Sequence, residues 1–206
     1  MISAIVLAAG ESSRMGTPKA LLPVGEETFL SAVCARLSEA GVAAVVAVLG
    51  ADAEHVRSFR RFAASVVVNR AYRDGQLSSL RCGLRAVAPG SRGAMVTLVD
   101  HPLVAAATYR TMREEAEKEP GMILVAAHRG RGGHPVVFPR SVFAELFAAP
   151  AGEGARAVVR ADPARVRRIA FDDPGIVADI DTPEEYRDYL AAVRGEQGAD
   201  RRLPPR

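Results

Sequence analysis

The chain has 206 residues, of which 49% are apolar and 25% charged, and it contains no Trp. This composition excludes a disordered or collagen-like chain, and the length suits one domain that needs no metal or disulfide staple to fold. The net charge is +3, but the last thirteen residues alone carry +2 of it, so the basic balance is not the face or stripe that nucleic-acid binding requires.

In chain order, Ser3–Leu7 is a first strand-length apolar run. Glu27–Ala40 has a helical period with Phe29, Leu30, Val33, Leu37 and Ala40 on one side, and Gly41 stops it. Ala43–Leu49 reads as a strand, Ala53–Ala63 as a helix and Ser65–Val68 as a third strand. Leu77–Ala88 is helical, Ala94–Val99 is a fourth strand, Thr108–Glu119 is a helix ended by Pro120, and Met122–Ala127 is a fifth strand.

Strands without polar alternation, separated by helices, predict βαβ units. The expected fold is a three-layer α/β/α sandwich with a mostly parallel, Rossmann-like sheet. The last third changes character. A Gly/Arg turn at Gly130–Gly133 leads to an extended Pro135–Phe138, followed by short helices over Arg140–Ala148 and Gly154–Arg160 and a strand at Val166–Phe171. The final helix opens with Thr182 as cap, Pro183 at its first position and Glu185 placed to close a capping box.

Residues 1–193 therefore form one expected domain, and 194–206, rich in Gly, Pro and charge, a disordered basic tail. Cys34 and Cys82 lie apart within helical patterns and read as small buried residues. Met1–Gly10 has no basic leader region, and no run of ~18 apolar residues occurs. The expectation is a cytoplasmic protein with neither membrane nor nucleic acid as partner.

The chemistry is concentrated in the loop after the first strand, Leu7-Ala8-Ala9-Gly10-Glu11-Ser12-Ser13-Arg14-Met15-Gly16-Thr17-Pro18-Lys19. It leaves the carboxyl end of a strand, where open α/β sheets bind ligands. Small residues admit a ligand close to the backbone, whose amides can cradle phosphate oxygens, and Arg14 and Lys19 add fixed positive charge. The spacing fits neither a dinucleotide fingerprint, which would need Gly at 12 and 15, nor a P-loop, in which four residues separate the glycines before Lys-Ser/Thr.

This loop resembles the signature of the nucleotidyltransferases similar to molybdenum cofactor cytidylyltransferase and guanylyltransferase, which share the nucleotide-diphospho-sugar transferase fold. The resemblance extends over roughly Ile2 to Leu190. It implies that Leu7, Ala8, Ala9, Gly10, Ser12, Ser13, Arg14 and Lys19 hold the triphosphate of a nucleotide with the help of Mg²⁺. Leu98-Val99-Asp100-His101-Pro102 resembles the family's metal segment. Asp100 is then the central Mg²⁺ ligand, with a helix cap as its plain alternative, and His101 is a wall residue rather than a general base.

Val177–Pro183 resembles the stretch whose carboxylate completes the metal site, which points to Asp181, with Asp179 either a second ligand or an acceptor contact. Asn69–Leu84 resembles the loop that closes over base and ribose, bringing in Gly75, Gln76, Ser78 and Ser79. Gly132-Gly133-His134-Pro135 resembles the element near the acceptor, so His134 is expected to have a site role, and the adjacent Arg129 and Arg131 either meet an anionic acceptor or are solvated.

The implied reaction is attack by the acceptor's phosphate on the α-phosphorus of a nucleoside triphosphate, with Lys19, Arg14 and Asp100 as the catalytic groups. Pro18 before Lys19 looks more like the cytidylyl branch, which favours CTP over GTP and molybdopterin as acceptor, with a molybdenum hydroxylase as downstream partner. The competing classes are a nucleotide- or cofactor-binding delivery factor without turnover, and a redox enzyme.

Overall fold

In the computed structural model, residues 1–59 and 62–199 are described, with the side chains of 192–199 excepted. Among the described residues nine strands and seven α-helices follow one another, in the expected order apart from an added hairpin. They are β1 (Ile2–Ala8), β2 (Pro23–Val24), β3 (Glu27–Thr28), α1 (Phe29–Glu39), β4 (Val45–Leu49), α2 (Ala53–Ser58), β5 (Ser65–Val68) and α3 (Gln76–Ala86). They continue as β6 (Gly93–Leu98), α4 (Ala106–Lys118), β7 (Ile123–His128), β8 (Arg131–Pro139), α5 (Phe143–Ala148), α6 (Arg156–Ala161), β9 (Val166–Phe171) and α7 (Pro183–Ala199).

Seven strands form one sheet in the order β5-β4-β1-β6-β8-β7-β9. All run parallel except β8, which pairs antiparallel with both β6 and β7. The expected α/β/α layering with a mostly parallel sheet is therefore what forms. β1 is buried along most of its length because both faces are covered, which explains its unbroken apolar sequence. One core, around Phe29, Leu30, Leu37, Met95, Tyr109 and Met112, lies under α1 and α4; the other, around Ile5, Val48, Leu80, Leu84, Val96 and Leu146, lies under α3 and α5.

Local chemistry moves several boundaries. The helix expected from Glu27 starts at Phe29. Thr28 caps it, with its hydroxyl accepting from the Ser31 amide while Ser31 Oγ accepts from the Thr28 amide at 2.8 Å. Glu27 and Thr28 instead pair with Pro23 and Val24 in a small hairpin that turns at Gly25, whose φ is +60°. The helix expected over Ala53–Ala63 ends at Ser58.

Pro135–Phe138 grows into the nine-residue β8 because it acquires two hydrogen-bonded neighbours. The His134–Pro135 bond is cis. The final helix has the predicted cap: Glu185 Oε2 accepts from the Thr182 amide at 2.8 Å, and Thr182 Oγ1 accepts from the Glu185 amide at 3.2 Å. It continues past the boundary expected at 193 to Ala199; the remainder of the expected tail, 200–206, lies outside the described residues. Cys34 and Cys82 are free thiols, and burial pushes Cys34 up to about 12. No described helix is long and apolar enough to cross a membrane.

Candidate functional site

The carboxyl ends of β4, β1 and β6 converge on one edge of the sheet, and a 230 Å³ cleft opens between their loops and the start of α3. Gly50 lets this happen: a Cβ there would lie 2.2 Å from the Ala9 carbonyl oxygen. The β4–α2 connection can thus lie directly against the loop after β1.

That loop is shaped by Ser12, whose φ is +50°. Its carbonyl accepts from the Met15 amide at 2.9 Å, and its hydroxyl accepts from the Lys19 amide at 3.0 Å. Leu7, Ala8, Ala9, Gly10, Ser12 and Lys19 all line the cleft, and nothing lies within 4 Å of a Cβ built at Gly10. The loop therefore presents backbone rather than side chain along this wall.

Lys19 Nζ donates to Asp100 Oδ2 at 3.2 Å and to Asp181 Oδ1, while Arg14 Nη2 donates to Asp181 Oδ2 at 2.8 Å. Groups 81 and 162 residues from Lys19 meet there because the Ile180 amide donates to the Asp100 carbonyl at 3.0 Å. The α7 cap holds the same corner, since Glu185 Oε2 also accepts from the Asp181 amide at 2.8 Å. Backbone hydrogen bonds from Asp181 and Thr182 keep Glu185 below the usual carboxylate range. The hydrogen bond from Lys19, reinforced by Arg14, lowers Asp181 likewise, so it is ionised at neutral pH.

Asp100 Oδ1 is buried and has no hydrogen-bond partner. A buried carboxylate oxygen without a partner, on a side chain that shares the Lys19 ammonium with Asp181, suits a hard cation, and Mg²⁺ characteristically takes one or two carboxylates and completes its shell with water and phosphate. Asp100 and Asp181 therefore fit such an ion as a pair. Among the described residues no cluster of three or more His, Cys, Asp or Glu forms an all-protein metal cage.

Gly75, with φ +95°, Gln76 and Ser79 complete the cleft from the start of α3. Asn69 fixes this corner through Nδ2, which donates to Ser78 Oγ at 2.8 Å and Ser79 Oγ at 3.0 Å. The Ser78 hydroxyl is committed to the Ala71 and Gly75 carbonyls and does not face the cleft, and Ser13 is exposed outside it. Of these two expected nucleotide contacts, one hydroxyl takes part in building the loop and the other is exposed at the surface. Sequence reasoning missed Gly50, Asp52, Ala53, Val56 and Tyr72, which also line the cleft. A signal existed, because neighbouring parallel strands bring their following loops together.

A second cleft of 780 Å³ adjoins the first and shares Leu7, Gln76 and Leu98 with it. His101, Gly132, Gly133, His134 and Asp179 line it, together with Arg131, Arg156, Arg160 and Arg168. His101 Nδ1 lies 3.2 Å from the Gly175 carbonyl, and its ring centroid is 5.3 Å from that of His134. Gly133 packs so closely on the 174–176 turn that a Cβ there would sit 2.0 Å from the Ile176 carbonyl oxygen.

Burial, with help from the nearby His101 and Arg156, pushes His134 down to about 4, so its ring is neutral at physiological pH. Arg129 sits at the β7–β8 turn with φ +47°, exposed and outside both clefts, whereas Arg131 lines the second.

The mostly parallel sheet with a cleft at its strand ends is the nucleotide-diphospho-sugar transferase fold, and Lys19, Asp100 and Asp181 are bonded together beside that cleft. Over residues 4–167 the chain matches the MobA-like NTP transferase domain, and it belongs to that family. It is 32% identical to nicotine blue oxidoreductase of Paenarthrobacter nicotinovorans over 90% of this chain and 95% of that one. It is 35% identical to a probable molybdenum cofactor guanylyltransferase of Opitutus terrae, over 60% of this chain and 59% of that one.

Among solved structures, Rv0371c of Mycobacterium tuberculosis H37Rv is 34% identical, with a TM-score of 0.80 over 93% of this chain and 98% of that one. A structure of the same protein in complex with manganese matches with a TM-score of 0.71 and 32% identity over 92% of this chain and 98% of that one.

Proposed function

We propose that the protein transfers a nucleoside monophosphate from a nucleoside triphosphate to the phosphate of a molybdopterin-type acceptor, releasing pyrophosphate, in the cytoplasm and with Mg²⁺. The observation that carries this reading is the bonded cluster of Lys19, Arg14, Asp100 and Asp181, of which Lys19 and Asp100 line the first cleft. The resemblance of the Pro18-Lys19 segment favours CTP, with GTP as the alternative on the same site. A molybdenum hydroxylase is the expected recipient of the product.

The chemistry follows from charge. An oxygen of the acceptor phosphate bonds to the α-phosphorus, the bond from that phosphorus to the bridging oxygen breaks, and pyrophosphate leaves with the bonding electrons. The attacking oxygen is already anionic, so no strong general base is needed, and neutral His134 serves as a hydrogen-bonding wall.

The backbone of residues 8–10 cradles phosphate oxygens, and the Lys19 ammonium and Arg14 guanidinium neutralise charge as it moves onto the leaving group. Asp100 and Asp181 would hold the divalent cation, which when bound supplies Lewis-acid stabilisation of the phosphoryl oxygens.

Pyrophosphate release from CTP, GTP, ATP and UTP with Mg²⁺ and molybdopterin tests the reading, with Asp100→Ala as control. Release with CTP alone, lost in the control, is expected. Release with GTP moves the protein to the guanylyl branch. Tight nucleotide binding without release from any nucleotide favours a delivery role. Hydride transfer is a second reading, favoured by the name of the 32%-identical oxidoreductase relative; absence of NADPH binding in a fluorescence titration removes it.

A further inference from the structure

The two carboxylates that fit a cation are held by basic groups of the chain itself. Asp181 has both oxygens committed, Oδ1 to Lys19 Nζ and Oδ2 to Arg14 Nη2 at 2.8 Å. Asp100 Oδ2 accepts from the same ammonium at 3.2 Å, which leaves Asp100 Oδ1 as the oxygen of the pair without a hydrogen-bond partner among the described residues. Any cation shared between the two carboxylates needs an oxygen of Asp181, and a basic group stands on each. Two acidic and two basic side chains also balance in charge, so a divalent cation arriving alone adds repulsion to the cluster.

The two basic groups are unequal competitors. The Lys19 side chain is 13% exposed and contacts both carboxylates, whereas Arg14 is 66% exposed and contacts one. Water screens an exposed pair, and parting it costs little. Lys19 is the group that closes the pair.

Lys19 also has a second place to put its charge. Its amide donates to Ser12 Oγ at 3.0 Å, so the root of the side chain is fixed to the loop that presents the backbone of Ala8, Ala9 and Gly10, and Lys19 lines the first cleft with them. The ammonium is a point charge on a flexible stem, and rotation about the stem moves it with the backbone in place. Phosphate oxygens lying against that loop compete with the carboxylates for the same ammonium.

We propose that Lys19 is an exchangeable counter-ion, which keeps the Asp100–Asp181 pair closed to divalent cations until the phosphates of a nucleotide take its ammonium. The pair then opens, and the metal is loaded with or after the nucleotide. This rests on the nucleotidyl-transfer reading for the identity of the incoming anion, and it adds an order of loading which that reading does not require.

The test reads metal binding rather than turnover. Electron paramagnetic resonance of free Mn²⁺ gives the affinity of the protein for Mn²⁺ alone. Lys19→Met keeps an apolar stem and removes the charge; it is expected to bind Mn²⁺ at least about 10-fold more tightly than the wild type, the scale of charge-assisted bonds that no longer compete. The gain should vanish in Lys19→Met/Asp100→Asn. It should be much smaller in Arg14→Gln, which removes the same charge from the same cluster. A saturating non-hydrolysable CTP analogue (or the GTP analogue, if release occurs with GTP) should tighten Mn²⁺ binding less in Lys19→Met than in the wild type, because no ammonium remains to be moved.

The unsubstituted protein gives a second measurement. The chain's lysines are Lys19 and Lys118, the latter 68% exposed and paired with Glu115, so ¹⁵N-lysine labelling isolates the Lys19 ammonium by nuclear magnetic resonance. Its signal should stay in place with Mg²⁺ alone and move with the nucleotide analogue in EDTA.

Mn²⁺ affinity in Lys19→Met no higher than in the wild type, a gain that survives Asp100→Asn, an equal gain in Arg14→Gln, or a Lys19 signal moved by Mg²⁺ alone overturns the proposal. Pyrophosphate release is a separate readout. Release by the wild type with no Mn²⁺ gain in Lys19→Met sinks only the exchange, whereas absence of release with every nucleotide sinks the reading beneath it.

Discussion

The two clefts are built in opposite ways. The first cleft draws on the stretch Leu7 to Lys19, laid over the ends of parallel strands, and presents backbone at Ala8, Ala9 and Gly10. The second gathers single side chains from β8, α6, β9 and the turn at 174–176, with guanidinium groups and two histidine rings in its lining. A site made of main chain must be written as a contiguous motif, because every residue in the loop constrains the backbone path. A site made of projecting side chains needs only the right residue at scattered positions. The first is readable in sequence and the second depends on how distant strands are ordered.

The largest expected effect breaks the nucleotide side. Lys19→Ala and Asp100→Ala should each lower kcat by ~10²-fold or more, the scale of one lost electrostatic group of ~2.7–4 kcal/mol. Steady-state pyrophosphate release checks this, and near-normal turnover in both variants would remove the cluster from the mechanism.

Glycine substitutions sharpen the contrast in stability. Gly50→Ala and Gly133→Ala place a Cβ at 2.2 Å and 2.0 Å from backbone oxygens, so each should cost at least ~1–3 kcal/mol in urea unfolding. Gly10→Ala meets nothing within 4 Å and should leave stability nearly unchanged while obstructing phosphate. Equal stability loss at all three would contradict the close approaches that shape the clefts.

On the acceptor side, His134 links burial to pH. Its folded value of about 4 lies below its ordinary 6.5, so the unfolded chain binds the extra proton in that window and stability falls as pH drops from 6.5 toward 4. The loss attributable to this ring is as much as ~3 kcal/mol. His134→Gln should flatten that part of the stability curve, and an unchanged slope between pH 6.5 and 4 would falsify the assignment. The smallest effect is expected at Arg129→Gln, which lies outside both clefts; stability should move by less than ~0.5 kcal/mol and acceptor KM hardly at all.

Legibility in the sequence followed the same divide. The parallel strands were marked by unbroken apolar runs because helices cover both faces of β1, β4 and β6. The α7 cap was marked by Thr182, Pro183 and Glu185, whose chemistry is local. Ser78 looked like a ligand contact because a hydroxyl at the start of a helix serves either purpose; only its bonds to Ala71 and Gly75 settle the matter. Arg129 looked equivalent to Arg131, since two residues at a turn cannot be told apart until the β7–β8 pairing turns one toward the cleft.

By itself the sequence determined the fold class and the path of the Leu7–Lys19 loop, since periodicity, caps and loop backbone are set by residues close along the chain; Asp100 and Asp181 are named by the family resemblance and brought to Lys19 by the fold. Only the tertiary structure decided that β8 would insert antiparallel between β6 and β7. That insertion fixes the register that sets Val136 between Val96 and Val125. Strand order is chosen by packing among segments far apart in the chain, and no local propensity encodes it.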